Sequence, residues 1–199
     1  MPPHIVFLHV DSVPAEYFQD FIDTVRADNL DLQVVARPSA PMAGVEWLMP
    51  TVILAYLAKP YFESFLTEMG KDHYELVKAG LKKLYKRVAG PESPEVTLIA
   101  TGGKVNKYQP YSLFFSVVVE GLDGERIKLL IPRPIDEVEY RAAIDAFLDF
   151  AEGLHVSSLD GDDLSSIEAP HRVGSTVLVA YDSNTKKIRS VDPLASRRD

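Results

Sequence analysis

Glu46–Val88, EWLMPTVILAYLAKPYFESFLTEMGKDHYELVKAGLKKLYKRV, is the stretch whose reading decides the fold. Trp47 to Ala58 carries no charge and no regular polar interruption, so it reads as a buried helix. It falls short of the roughly 20 apolar residues that cross a bilayer, because Lys59 and Glu63 interrupt it. Pro50 suits a first helical turn, whereas Pro60 falls in the helix interior and predicts a kink near Lys59. Gly70 then stops this helix. Lys71–Val88 starts a second, with Tyr74, Val77, Leu81, Leu84 and Val88 spaced three and four apart along one apolar seam.

Working outward, residues before and after this pair read as strands and helices in mixed order. Ile5 to Val10 is a continuous apolar run expected as an interior strand. Asp11 or Ser12 caps a helix whose face is Phe18, Phe21, Ile22 and Val25, and Leu32 to Ala36 is a second strand closed by Pro38. Downstream, Val96–Thr101, Leu113–Glu120 and Ile127–Ile131 read as strands, the last two joined by an Asp123-Gly124 hairpin turn. Asp136 and Glu139 form a capping box for a helix with Tyr140, Ile144, Phe147, Ala151 and Leu154 on its buried side, which Gly153 helps to stop. Thr176–Tyr181 and Lys187–Val191 form a final hairpin.

The expected fold is therefore α+β, a mixed, largely antiparallel sheet of about six to seven strands packed by about four helices. The central helical pair is inserted after the first strand–helix–strand unit. One domain spans residues 1–199, with the helical insertion at 46–88, an acidic loop at 155–172 and a polar tail at 195–199.

Composition narrows the class. An apolar fraction of 46% and a charged fraction of 25% exclude a disordered or fibrous chain. A net charge of −8 leaves no general attraction to nucleic acid or anionic membrane. The absence of cysteine removes disulfides, thiolate zinc sites and cysteine nucleophiles. Pro2 and Pro3 follow the initial Met and no basic segment precedes the first apolar run, so the expected location is the cytoplasm, with no transmembrane segment.

Four constellations invite a functional reading, each beside a plainer one. Lys71, Lys78, Lys82, Lys83, Lys86 and Arg87 face only Asp72 and Glu75 on their helix, a basic face for an acidic partner; cations gathered near a helix C-terminus would do the same without a partner. Trp47, Tyr56, Tyr61, Phe62 and Phe65 line either a binding groove or the core. His9, Asp11 and Ser12 end the first strand, where α/β sheets place ligands, and Gly102-Gly103 follows a later one; capping, packing and a plain glycine turn are the favoured readings. Asp160-Gly161-Asp162-Asp163 lacks the calcium-loop spacing, and the histidines at 4, 9, 73, 155 and 171 lack ligand spacing, so no metal or cofactor is expected.

The expectation is a non-enzymatic protein that binds another macromolecule, a protein partner or a further copy of itself, through the aromatic and basic helices. The alternative is a small-molecule-binding protein or hydrolase with a pocket at His9, Asp11, Gly102 and Gly103. A weaker alternative is a peripheral membrane protein.

Overall fold

A computed structural model describes residues 2–38, 51–96, 110–156 and 172–192. Their strands and helices form three strand–helix–strand units laid side by side. In the first, β1 (Ile5–Val10) and β2 (Leu32–Arg37) run parallel, and α1 (Gln19–Val25) lies between them in the chain. In the second, β3 (Ile53–Leu57) leads through α2 (Leu66–Met69), α3 (Lys71–Lys83) and α4 (Tyr85–Val88) to a parallel β4 (Phe115–Glu120). In the third, β5 (Arg126–Leu129) leads through α5 (Glu137–His155) and the short β6 (Arg172–Val173) to β7 (Thr176–Asp182), again parallel to β5. β8 (Lys187–Ser190) turns back along β7.

The junctions between units, β1 with β3 and β4 with β5, are antiparallel. The eight described strands join in the order β2-β1-β3-β4-β5-β7-β6, with β8 also on β7. The fold is α+β with a mixed sheet, and parallel pairs are a larger part of it than expected because each helical connection returns the chain in its original direction. The hairpin of β4 and β5 turns at Gly124, whose φ of +78° suits a residue without Cβ.

Two readings of the central stretch are corrected. Ile53–Leu57 is a strand: Ile53, Ala55 and Leu57 are fully buried while Leu54 and Tyr56 are half-buried, a period of two that a run apolar on both faces hides in sequence. Pro60 is not an interior kink. It lies in the first turn after β3, where its missing N–H is one of the donors a helix leaves unpaired anyway. The supposed helical insertion is the crossover of the second unit, a wide turn at Tyr61–Phe65 followed by α2, and Gly70 at φ +77° separates α2 from α3. Gly153 also differs from expectation, since α5 continues through it to His155 with Gly153 buried in the helix. Trp47, the strand expected beyond Val96, Gly102, Gly103, most of the acidic loop and the polar tail lie outside the described residues.

The helices cover one face of the sheet. Ile5, Phe7, Ala55, Leu57, Val117, Val119, Ile127, Leu129, Val177 and Val179 alternate onto that face and pack with Phe21, Val25, Val77, Leu81, Ile144 and Phe147. α1 packs on α3 and α3 on α5. Two tyrosines tie α3 to α5 reciprocally: the Tyr140 hydroxyl donates to the Leu81 carbonyl at 2.9 Å, and the Tyr74 hydroxyl donates to the Leu148 carbonyl. Each supplies the partner its buried hydroxyl needs.

Candidate functional site

α3 and α5 meet along a ladder of opposite charges. Lys78 Nζ lies 2.5 Å from Asp149 Oδ1 and 3.2 Å from Glu75 Oε1, Lys82 Nζ lies 2.7 Å from Asp145 Oδ1, and Lys71 Nζ lies 3.7 Å from Glu152 Oε1. Arg87 turns the other way, to Asp20 of α1 at 2.9 Å. Burial works against the charge of Lys78, yet its hydrogen bonds to Asp149 and Glu75 outweigh this and hold its ammonium above the usual lysine range. Four of the six cations expected to form a docking face are thus engaged by acids of the same chain, and the other two, Lys83 and Lys86, are exposed. The complementary spacing of Asp145, Asp149 and Glu152 along α5 is the sequence signal for this pairing.

The aromatic side chains around the second crossover are core. Tyr61, Phe62 and Phe65 are buried, and Tyr61 stacks on Phe65. His73 is buried among them with both ring nitrogens bonded. Its Nε2 contacts the Val25 carbonyl at 2.7 Å, so Nε2 carries the proton, and Nδ1 accepts from the Tyr61 hydroxyl at 3.0 Å. His155 stacks on Phe62 with ring centroids 4.3 Å apart and donates from Nε2 to the Glu120 carbonyl at 2.8 Å.

Desolvation lowers the pKa of both imidazoles, opposed in part by those carbonyl bonds. The neutral form is therefore the folded one, and its stabilisation is complete above about pH 6.5, the unfolded value. It is lost as pH falls from there through the depressed folded values. Urea unfolding from neutral to mildly acidic pH is expected to show stability flat above that point and declining below it. A flat profile through the whole range would contradict these assignments.

His9 and Asp11 stand at the carboxyl end of β1. The His9 ring packs on Phe18 at 4.7 Å on the helical side, with Nδ1 2.9 Å from the Val10 carbonyl, while Asp11 is exposed and its amide donates to the Arg37 carbonyl at 2.8 Å. Gly102 and Gly103, the other half of that expected pocket, are outside the described residues.

On the face opposite the helices, Lys128 is buried between Ile127 and Leu129 in the chain. Burial first, and the charge of Arg37 second, push its pKa down to about 8. Arg37 donates from Nη2 to the Thr51 carbonyl at 3.1 Å. The sequence signal for this buried lysine is a cation set inside an apolar strand, which reading the strand by its apolar run alone misses.

Among the described strands, β2 is one with unspent bonding capacity. It ends one side of the described sheet, and its surface from Leu32 to Ala36 carries no charge. Val34 is 43% exposed and Val35 38%, on opposite faces. The ladder to β1 uses the carbonyls of Asp31 and Arg37, bonded by the amides of Ile5 and Asp11 at 3.2 and 2.8 Å. In a parallel pair the bonded residues alternate, so residues 33 and 35 also face β1. The amides and carbonyls of Val34 and Ala36 point outward.

No described group of three or more His, Cys, Asp or Glu residues is placed to hold a metal ion, and no described helix is long and apolar enough to cross a membrane. No protein-family model, curated protein or solved structure matches the chain.

Proposed function

We propose that this chain is a non-catalytic binding protein that takes an extended polypeptide strand onto the outer edge of β2. The observation that supports the reading is the edge itself: a six-residue strand at one end of the described sheet, with β-branched Val34 and Val35 at its centre, uncharged over Leu32–Ala36 and half-exposed on both faces. Such edges are templates for strand addition, in which backbone hydrogen bonds supply affinity and alternate side chains supply selectivity. The basic helix is a poorer contact surface, because Lys71, Lys78, Lys82 and Arg87 already satisfy acids of α5 and α1.

A fluorescent, end-capped peptide with the sequence of residues 30–38 tests the reading. The wild-type protein is expected to bind it saturably. Val34→Pro removes one outward amide and leaves the bonds to β1 in place, and it is expected to weaken binding at least about tenfold. Equal binding by both proteins, or binding by neither when the wild type sediments as a monomer, removes the edge as the contact surface.

A further inference from the structure

Resting on the reading of β2 as a strand-accepting edge, we infer that the strand added there is β2 of a second copy of this chain, antiparallel and centred on Val34. Two sheets then become one across a twofold axis.

Three independent features of β2 select this arrangement. The first is hydrogen bonding. With Val34 opposite Val34, Leu32 lies opposite Ala36, and each of these residues directs its carbonyl outward, as Val34 and Ala36 do their amides. Val34 then exchanges both of its bonds with its counterpart, the narrow type of antiparallel pair.

The second is charge. β2 is bracketed by Asp31 and Arg37, and the same register sets Asp31 of one copy opposite Arg37 of the other, twice. A parallel arrangement would set Asp31 against Asp31 and Arg37 against Arg37. Sliding the register by two residues breaks both pairs. Asp31, Gln33, Val35 and Arg37 alternate onto one face, so the opposed charges stand on the same side of the joined sheet. That side also carries Lys128, whose pKa is lowered by burial first and by the charge of Arg37 second.

The third is side-chain cover. Val34 meets Val34 on the helical side, a cross-strand pair of β-branched residues, while Val35 meets the stem of Gln33 on the other. The twofold axis is perpendicular to the sheet, so both helical layers lie on one side and α1 of each copy borders the junction. The product closes: each copy uses its only β2, and a dimer leaves no second β2 edge to propagate.

The chain has no cysteine, which allows a direct test of register. Val34→Cys places two thiols across a narrow pair with about 5.5 Å between Cα atoms, within disulfide reach. Mild oxidation is expected to convert Val34→Cys to a covalent dimer, while Val35→Cys, opposite Gln33, stays uncrosslinked. Sedimentation equilibrium is expected to give twice the 22.1 kDa chain mass for the wild type. Asp31→Lys, which sets a second cation against Arg37, is expected to raise the dimer dissociation constant about tenfold. Preferential cross-linking of Val35→Cys overturns the register. A wild type that stays monomeric while binding the 30–38 peptide in a Val34-dependent way overturns the second copy as occupant and leaves the edge reading standing; a monomer that does not bind the peptide overturns both.

Discussion

Lys78→Glu is expected to lower stability by about 2–3 kcal/mol, a reduced form of the penalty for breaking a buried ion pair because both acidic partners, Glu75 and Asp149, are exposed. Lys78 is only 8% exposed, and its Nζ lies within 3.2 Å of Glu75 and 2.5 Å of Asp149, with the Tyr74 ring 5.0 Å away. Glutamate at this position gathers three carboxylates at the α3–α5 seam and removes the lysine stem that packs there. Urea unfolding measures the loss. Lys86→Glu, a reversal at an exposed position of α4, is expected to stay within about 0.5 kcal/mol of the wild type. Combining Lys78→Glu with Asp149→Lys re-forms one opposite pair and is expected to recover part of the stability. Equal effects at positions 78 and 86 would show that the seam is not held by charge.

Gly80→Val is expected to cost about 3 kcal/mol, the upper part of the usual range for overpacking a core. Gly80 is buried in α3 where it meets α1, and a Cβ placed there comes within 2.9 Å of Phe21 Cδ2 and 3.3 Å of Val25 Cγ1. Valine adds two further methyl groups to that collision. Alanine adds only the Cβ, and the roughly 1 kcal/mol it gains in helix propensity over glycine offsets much of the displaced ring. The series Gly, Ala, Val therefore separates backbone preference from crowding: a small change at Ala and a large loss at Val. In a Phe21→Leu background, where the ring edge is gone, the added cost of Gly80→Val is expected to shrink. Identical costs in both backgrounds would place the strain elsewhere.

Local periodicity makes the first and third units readable. The branched run at β1, the three-and-four spacing of Phe18, Phe21, Ile22 and Val25, and the Asp136–Glu139 cap, whose carboxylate accepts the Glu139 amide at 2.8 Å, all describe contacts within a few residues. The second unit defeats this kind of reading at Ile53–Leu57. Its alternation is between full and half burial, and apolar side chains on both faces leave no polar mark of it. Pro60 then falls, by spacing alone, in a helix interior that the chain does not build. The basic face of α3 is legible as charge, but its pairing is marked only by the matching spacing of acids on α5, because Lys82 and Asp145 are 63 residues apart. For β2, the strand is evident in sequence and its position is not: whether a strand is central or terminal depends on the order of the whole sheet.

The order of strands also sets how the molecule can be assembled as it leaves the ribosome. β2 docks beside β1, β3 takes the free side of β1, and each later pairing, β4 on β3, β5 on β4 and β7 on β5, occurs at the growing margin. None of the eight described strands has to wedge itself between two neighbours that are already joined. Synthesis from the N-terminus can therefore lay the sheet down in the order of translation, with each helix sealing its own parallel pair as it emerges. The margin at β2 is left behind at the first step and is never revisited by the described strands. It is the oldest surface of the nascent sheet, on offer to another chain before the remainder of its own has been made.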